Sequence, residues 1–117
     1  MREEIMDWIN FLPAGWVSAF GEELCDDLLR ALGEHAADFV IDEVKEKYGE
    51  MRMYWEWRGR EYLVPMSDEL WELTTLIFDI QEHYAMLSRH TCAKCGAPAT
   101  MRTINGWDEP LCDNCCS

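Results

Sequence analysis

The sequence predicts an α+β fold in which a small antiparallel β-sheet packs with helices and a zinc ribbon follows at the C-terminus. Three observations predict this fold. Segment 51–58 alternates between apolar and polar residues, as a half-buried strand does. Segments 2–12, 18–32 and 68–89 repeat apolar residues at helical spacing. Five of the six cysteines fall within the last 26 residues.

Length and composition indicate one folded unit with a small appendage. The chain has 117 residues, and we predict an acidic α+β domain over residues 1–90 and a zinc ribbon over residues 91–117 that continues from the last helix. A hydrophobic fraction of 49% is enough for a core. No apolar run is long enough to span a membrane, and no basic-then-apolar signal segment opens the chain. We therefore expect a cytoplasmic protein.

The first third of the chain predicts two amphipathic helices. The first covers residues 2–12 and ends where Pro13 and Gly15 interrupt it. The second covers residues 18–32, and Gly33 is its predicted C-terminal stop. Its buried stripe is Phe20, Leu24, Leu28 and Ala31. Cys25 lies beside that stripe, which predicts a buried thiol rather than a nucleophile.

The segment "DFVIDEVKEKYG" is ambiguous between helix and strand. Its apolar residues fit helical spacing, but the cluster of Val40, Ile41 and Val44 is β-branched and suits a strand. Both interpretations of residues 38–48 stay open.

The segment "MRMYWEWR" predicts a strand with one buried face. Met51, Met53, Trp55 and Trp57 form that face. We predict that Gly59-Arg60 makes a tight turn and that "EYLV" returns as the partner strand until Pro65. The methionine and tryptophan face is predicted to be core, and a binding surface is the alternative.

A long helix is predicted from Ser67, its N-cap, to about Arg89. Asp68 and Glu69 in the first turn oppose the helix dipole. Its main apolar stripe is Leu70, Leu73, Ile77, Ile80, Tyr84 and Leu87, and a second seam is Trp71, Thr74, Phe78 and Ala85. So wide an apolar arc packs against the sheet or against another subunit, which leaves a homodimer open and the oligomeric state undetermined.

Four cysteines have the spacing of a zinc site. Cys92, Cys95, Cys112 and Cys115 form C-x2-C-x16-C-x2-C. Four thiolates complete a tetrahedral shell, so we predict one structural Zn²⁺ per chain with no open catalytic position. Two disulfides or unliganded thiols are the alternatives. Cys116 is the first candidate to replace a ligand, ahead of His90.

The formal net charge of −13 limits which classes of partner the protein can bind. Nucleic-acid binding requires basic residues, and the ribbon offers only Lys94 and Arg102, so we expect no nucleic-acid partner. The acidity is either a solubilising surface or a docking face for a partner with a basic surface. The candidate docking residues are Glu22, Glu23, Asp26, Asp27, Asp42, Glu43, Glu46 and Glu50.

No catalytic constellation stands out in the sequence. It contains no Gly-rich phosphate loop, no G-x-S-x-G and no H-E-x-x-H motif. His35 with Asp38, and His83 with Glu82 or Asp79, are pairs that chance supplies readily in so acidic a chain. We expect a protein that is not an enzyme.

The segments "VKEKYGEMRMYW" and "RHTCAKCGAPATMRTINGWDEPLCDNC" resemble a family of small uncharacterised proteins from bacteriophages and bacterial genomes. The family pattern is a K-E-K-F-G-x-L-R-F-Y-like segment, a C-x-x-C-G-A-P pair, a G-W and a closing L-C-x-x-C or L-C-x-x-H. The likeness covers residues 40–115, with Tyr48, Met51 and Met53 at aromatic or leucine positions. The resemblance implies a bacteriophage protein that works inside a bacterial cell. It implies no biochemical activity, because the family has no established one.

The function we expect is binding and modulation of a host protein. Nucleic-acid-handling machines have basic surfaces that attract an acidic protein, so an anti-defence inhibitor is the most concrete version. A zinc-ribbon adaptor of transcription or replication and a structural or assembly component are the alternatives.

Overall fold

The computed structural model describes residues 1–59 and 66–116 and has the predicted α+β class. The helical elements are α1 (Arg2–Ile9), α2 (Ala14–Trp16), a π-helical turn (Val17–Gly21), α3 (Glu22–Leu32), a 3-10 turn (Gly33–Asp38) and α4 (Asp68–Ser88). The strands are β1 (Phe39–Lys47), β2 (Glu50–Trp57), β3 (Thr100–Ile104) and β4 (Trp107–Leu111). They form two antiparallel pairs, β1 with β2 and β3 with β4.

The first two helices differ from the prediction at their boundaries. Helix α1 ends at Ile9, although Leu12 is still buried. The second helical run begins at Ala14, not Ser18, so the predicted break at Gly15 is wrong. Pro13 directly precedes the first turn of this run. Its missing N–H group costs no hydrogen bond there, because the first N–H groups of a helix have no partner within the helix. Gly33 has φ +51° and ends α3, as predicted.

The ambiguous segment forms strand β1. It pairs antiparallel with β2, with Phe39 opposite Trp57 and Lys47 opposite Glu50. The turn between the strands places Tyr48 and Gly49 at φ +54° and +79°, the positive values that a two-residue hairpin turn requires. This hairpin was not predicted, because a tyrosine with positive φ is rare. The strand predicted at "EYLV" lies in residues 60–65, outside the described residues.

The alternating face of β2 is core, as predicted. Met51, Met53 and Trp57 are buried, and Trp55 is half-buried. Both tryptophan N–H groups find partners on α4: Trp57 Nε1 donates to Thr74 Oγ1 (2.9 Å), and Trp55 Nε1 donates to Gln81 Oε1 (2.7 Å). These bonds fix the sheet against the helix.

We expect Trp57→Ala to lower the free energy of unfolding by about 3–5 kcal/mol, because a large buried side chain leaves a cavity. The variant also leaves Thr74 without its tryptophan donor. Urea unfolding of the purified variant measures this change. Tyr54→Ala is the control, since Tyr54 lies on the exposed face of the same strand. Equal losses in both variants would contradict the assignment of the buried face.

Helix α4 begins as predicted, because Ser67 Oγ accepts a hydrogen bond from the Leu70 N–H (3.2 Å). Its main stripe is buried at Leu73, Ile77 and Tyr84. The second seam is split: Thr74 is buried, whereas Trp71 and Phe78 are exposed. The Tyr84 hydroxyl donates to the Asp27 carboxylate of α3 and thereby joins the two helices. Within residues 1–59 and 66–116, no helix combines the length and apolarity needed to cross a membrane.

Candidate metal centre

The first cysteine pair lies on a tight turn after α4. The Cys92 N–H donates to Ala97 O (2.7 Å), and the Gly96 N–H donates back to Cys92 O (2.9 Å). Gly96 has φ +84°, a conformation that glycine adopts without the strain a side chain would cause. The turn therefore presents both sulfurs of the pair, from Cys92 and Cys95, to one point.

The second pair is brought back by the β3–β4 hairpin. Its turn, Asn105-Gly106, has positive φ at both residues, which matches the two-residue turn that joins antiparallel strands. After β4, the N–H groups of Cys115 and Cys116 both donate to Cys112 O (3.1 and 3.2 Å). The hairpin thus folds Cys112 and Cys115 towards the first turn.

The four predicted ligands lie together. The sulfurs of Cys92, Cys95, Cys112 and Cys115 are all within 4.8 Å of one another. Cys95 Sγ and Cys112 Sγ are 3.6 Å apart. A tetrahedral ion with Zn–S bonds of 2.3 Å separates its sulfurs by about 3.8 Å, whereas a disulfide bond is about 2.05 Å. The six cysteines are free, and these four can hold a metal ion.

The electrostatics of the cluster favour a cation. Burial would raise the pKa of the Cys92 thiol, but the backbone N–H groups of Cys112, Cys95 and Lys94 outweigh it and lower the pKa to about 6. Hydrogen bonds from the neighbouring sulfurs, Cys112 first, raise the pKa of Cys115 to about 12. The Cys92 thiolate thus forms readily, whereas the pKa values of Cys95 and Cys115 are raised because negative sulfurs held close together repel. A divalent cation removes that conflict.

The other thiols have different surroundings. Cys116 Sγ lies 3.4 Å from the carbonyl oxygen of Asp113. Cys25 is buried on α3, and burial raises the pKa of its thiol, as expected of an inert core cysteine. His90 contributes its backbone, accepting from the Ala99 N–H (2.9 Å).

The first cysteine turn packs against the helical run that begins at Ala14 and comprises α2, the π-helical turn and α3. Trp16 is fully buried, and its Nε1 donates to Thr91 O (2.9 Å). The Gly15 N–H donates to Ala93 O (2.8 Å). A methyl group on Gly15 would overlap the Cys92 carbonyl oxygen and lie 2.7 Å from Gly96 N. This contact was not predicted: Gly15 was expected to break a helix, and the one sequence signal for the contact is a glycine beside a tryptophan.

The hairpin turn of β1–β2 also contacts the ribbon. A methyl group on Gly49 would lie 2.5 Å from Met101 Sδ and 3.1 Å from Asp108 O. The ribbon therefore packs on both the helical run and the first sheet.

The structure distributes the eight predicted docking acids over two surfaces. Four are on α3 and four on or beside β1. Half of them form ion pairs: Asp26 with Arg2, Asp27 with Arg30, Glu43 with Lys45, and Glu50 with Arg52 and Arg89. Among the described residues, Glu22, Glu23, Asp42 and Glu46 form no ion pair, and all four are exposed.

The contacts of His35 and His83 in the structure are with residues other than the acids paired with them on the basis of sequence. His35 Nε2 lies 3.3 Å from Glu69 Oε1 at the start of α4, and Glu34 is close enough for these three side chains to approach one ion. Their exposed carboxylates are common surface features without an ion. The His83 ring packs edge-on against Tyr84. That the protein is not an enzyme stays a prediction.

Comparison with known proteins found no matching family model, no similar curated protein and no similar solved structure.

Proposed function

We propose that this chain is a non-enzymatic zinc protein of phage type that binds and modulates a host protein in the bacterial cytoplasm. An inhibitor of a nucleic-acid-handling defence machine is its most specific form. The observation that carries the proposal is the acidic face of α3. This helix buries Leu24, Leu28 and Leu32 and presents Glu22 and Glu23 to solvent, and neither carboxylate forms an ion pair within the part of the chain that the structure describes. Fixed carboxylates on a rigid helix suit a basic partner surface.

The cysteine cluster supports a structural metal rather than a catalytic one. Zinc accepts four thiolates as a complete tetrahedral shell, and substrate then has no position on the metal. The role we propose for the zinc is to hold the ribbon in its docked position.

The basic residues of the ribbon favour a protein partner over a nucleic-acid partner. Arg102 is engaged within the ribbon: its Nε donates to Leu111 O (2.9 Å), and its guanidinium pairs with Asp113 (2.6 Å). Lys94 is then the one ribbon base without an ion pair among the described residues. A single lysine beside several carboxylates is a poor phosphate site.

The test uses Glu22→Lys/Glu23→Lys. Asp26 and Asp27 stay unchanged, because their pairing with Arg2 and Tyr84 supports the fold. After affinity capture from bacterial lysate and mass spectrometry, the identified partner is titrated with each form of the protein. We expect about tenfold weaker binding and a slower association rate, both most evident at low salt.

The control is Asp79→Lys/Glu82→Lys on α4, which changes the net charge equally at two other exposed acids. It separates a local docking effect from a general charge effect. Unchanged affinity of the Glu22→Lys/Glu23→Lys variant, or the same loss in the control, would reject docking through α3.

A further inference from the structure

A groove lies where the end of α1 meets the ribbon, and two aromatic side chains line it. Phe11, after α1, is 74% exposed, and Trp107, the first residue of β4, is 76% exposed. They are the two most exposed large apolar side chains among the described residues. Exposing so much aromatic surface is unfavourable in water, which makes the groove a candidate interaction site.

The floor of this groove is buried and is held together by backbone hydrogen bonds. It includes Leu12, Ala93 and Pro110, all buried. The Ala93 N–H donates to Pro110 O (2.9 Å), while Ala93 O accepts from the Gly15 N–H (2.8 Å). Backbone hydrogen bonds thus join the helical run, the first cysteine turn and β4 directly beneath the aromatic side chains. A ligand would meet a preformed surface, which reduces the entropic cost of binding.

The groove is also acidic. Glu46, Asp108 and Glu109 line it, and none of the described residues that line it is a lysine or an arginine. Asp108 accepts a hydrogen bond from the Thr103 hydroxyl (2.6 Å). Within the described part of the chain, Glu46 and Glu109 have no ion-pair partner. Two carboxylates are therefore available beside two aromatic rings.

We propose that this groove binds an arginine side chain on an exposed segment of a partner protein. A guanidinium is flat, stacks on aromatic rings and donates paired hydrogen bonds to a carboxylate. The inference rests on the proposed function in one respect, namely that the partner protein is basic. It adds the place where one cationic side chain of that partner binds. The acids that do so are separate from Glu22 and Glu23.

Charge argues against two other occupants. Nucleobases would stack on Phe11 and Trp107, but the attached phosphates would face three carboxylates. A second copy of the chain carries a charge of −13, so bringing two copies together is opposed by repulsion. The basic segment of another protein meets neither obstacle.

The test is an NMR titration of the zinc-loaded full chain with a short, end-blocked peptide that contains one arginine among glycines and serines. A matched peptide carries citrulline, which keeps the planar shape and lacks the charge. We expect saturable shifts of the Trp107 indole N–H and the Ala93 backbone N–H with the arginine peptide. The citrulline peptide should bind at least about fivefold more weakly.

Variants of the groove residues test whether the arginine peptide binds in the groove. Trp107→Ala should weaken arginine-peptide binding by about fivefold or more, and Glu46→Gln/Glu109→Gln should do the same and reduce its salt dependence. Trp71→Ala is the matched control, an exposed tryptophan on α4 outside the groove, and should leave binding unchanged. Retention of all other amide shifts verifies that each variant is folded.

Three results would overturn the inference. These are the absence of saturable shifts, equal binding of the arginine and citrulline peptides, and Trp107 shifts that follow protein concentration without peptide, which would show a second copy in the groove. The titration is independent of the α3 test. If Glu22→Lys/Glu23→Lys loses the partner while no peptide binds, only the groove inference fails. If peptide binds while that variant keeps full partner affinity, only docking through α3 fails.

Discussion

Replacing Cys92 or Cys112 with serine is expected to abolish metal binding and unfold the ribbon. In small zinc domains, binding of the metal supplies about 10–16 kcal/mol of folding free energy. The structure extends the effect beyond the ribbon, since Gly15 and Trp16 make their hydrogen bonds to the first cysteine turn. The start of the helical run that begins at Ala14 should therefore lose protection against amide hydrogen exchange, as should the cysteine turns.

Two measurements check this result. Metal analysis of the purified protein should give about one zinc per chain, and amide hydrogen exchange should show faster exchange at Gly15 and Ala93 in the variants. A chelator should reproduce both changes, more easily at lower pH because protons compete for the sulfurs. Cys25→Ser and Cys116→Ser are the controls and should keep the zinc. Finding no zinc and paired disulfides would refute the metal site.

Gly15→Ala is expected to destabilise the protein by about 3 kcal/mol or more, since overpacking against backbone cannot be relieved by a side-chain rotation. The added methyl group would overlap the Cys92 carbonyl oxygen and crowd Gly96 N. The cysteine turn must move away from the helical run, so the hydrogen bond from Gly15 to Ala93 is lost. Zinc affinity should fall as well, because the turn carries two of the four ligands.

Gly21→Ala is a matched control for this substitution. Gly21 has helical φ, and its added methyl group would meet only side-chain atoms, Ile9 Cγ2 at 3.2 Å and Val17 Cγ1 at 3.4 Å. Small shifts of these side chains relieve the crowding, and alanine favours a helix by about 1 kcal/mol over glycine. Urea unfolding and competition with a zinc chelator compare the two variants. Equal stability of Gly15→Ala and the wild type would mean that the ribbon is not docked there.

The features that were predicted correctly depend on neighbours close in sequence. Alternation along 51–58 identified the buried face of β2, and Ser67 identified the start of α4. The spacing of the four cysteines identified the cluster that can hold a metal ion, because each C-x2-C turn places its two sulfurs together without help from the rest of the fold.

Predictions that depended on a distant partner were incomplete. Strand β1 formed within residues 38–48 because β2 supplies a backbone edge and α1 packs against β1, and neither of these two elements lies within the segment. Trp71 and Phe78 fit the apolar pattern of α4, yet helical spacing alone could not tell which of its two seams faces the core.

The sequence by itself determined the α+β class, the buried face of β2 and the four cysteines that can hold a metal ion, because spacing sets which side of a strand a residue occupies and which sulfurs share a turn. Only the tertiary structure decided that Gly15 lies against the first cysteine turn and that Phe11 and Trp107 line one acidic groove. The physical reason is chain separation. These contacts join residues about 80 or more positions apart, and only packing determines which distant surfaces meet.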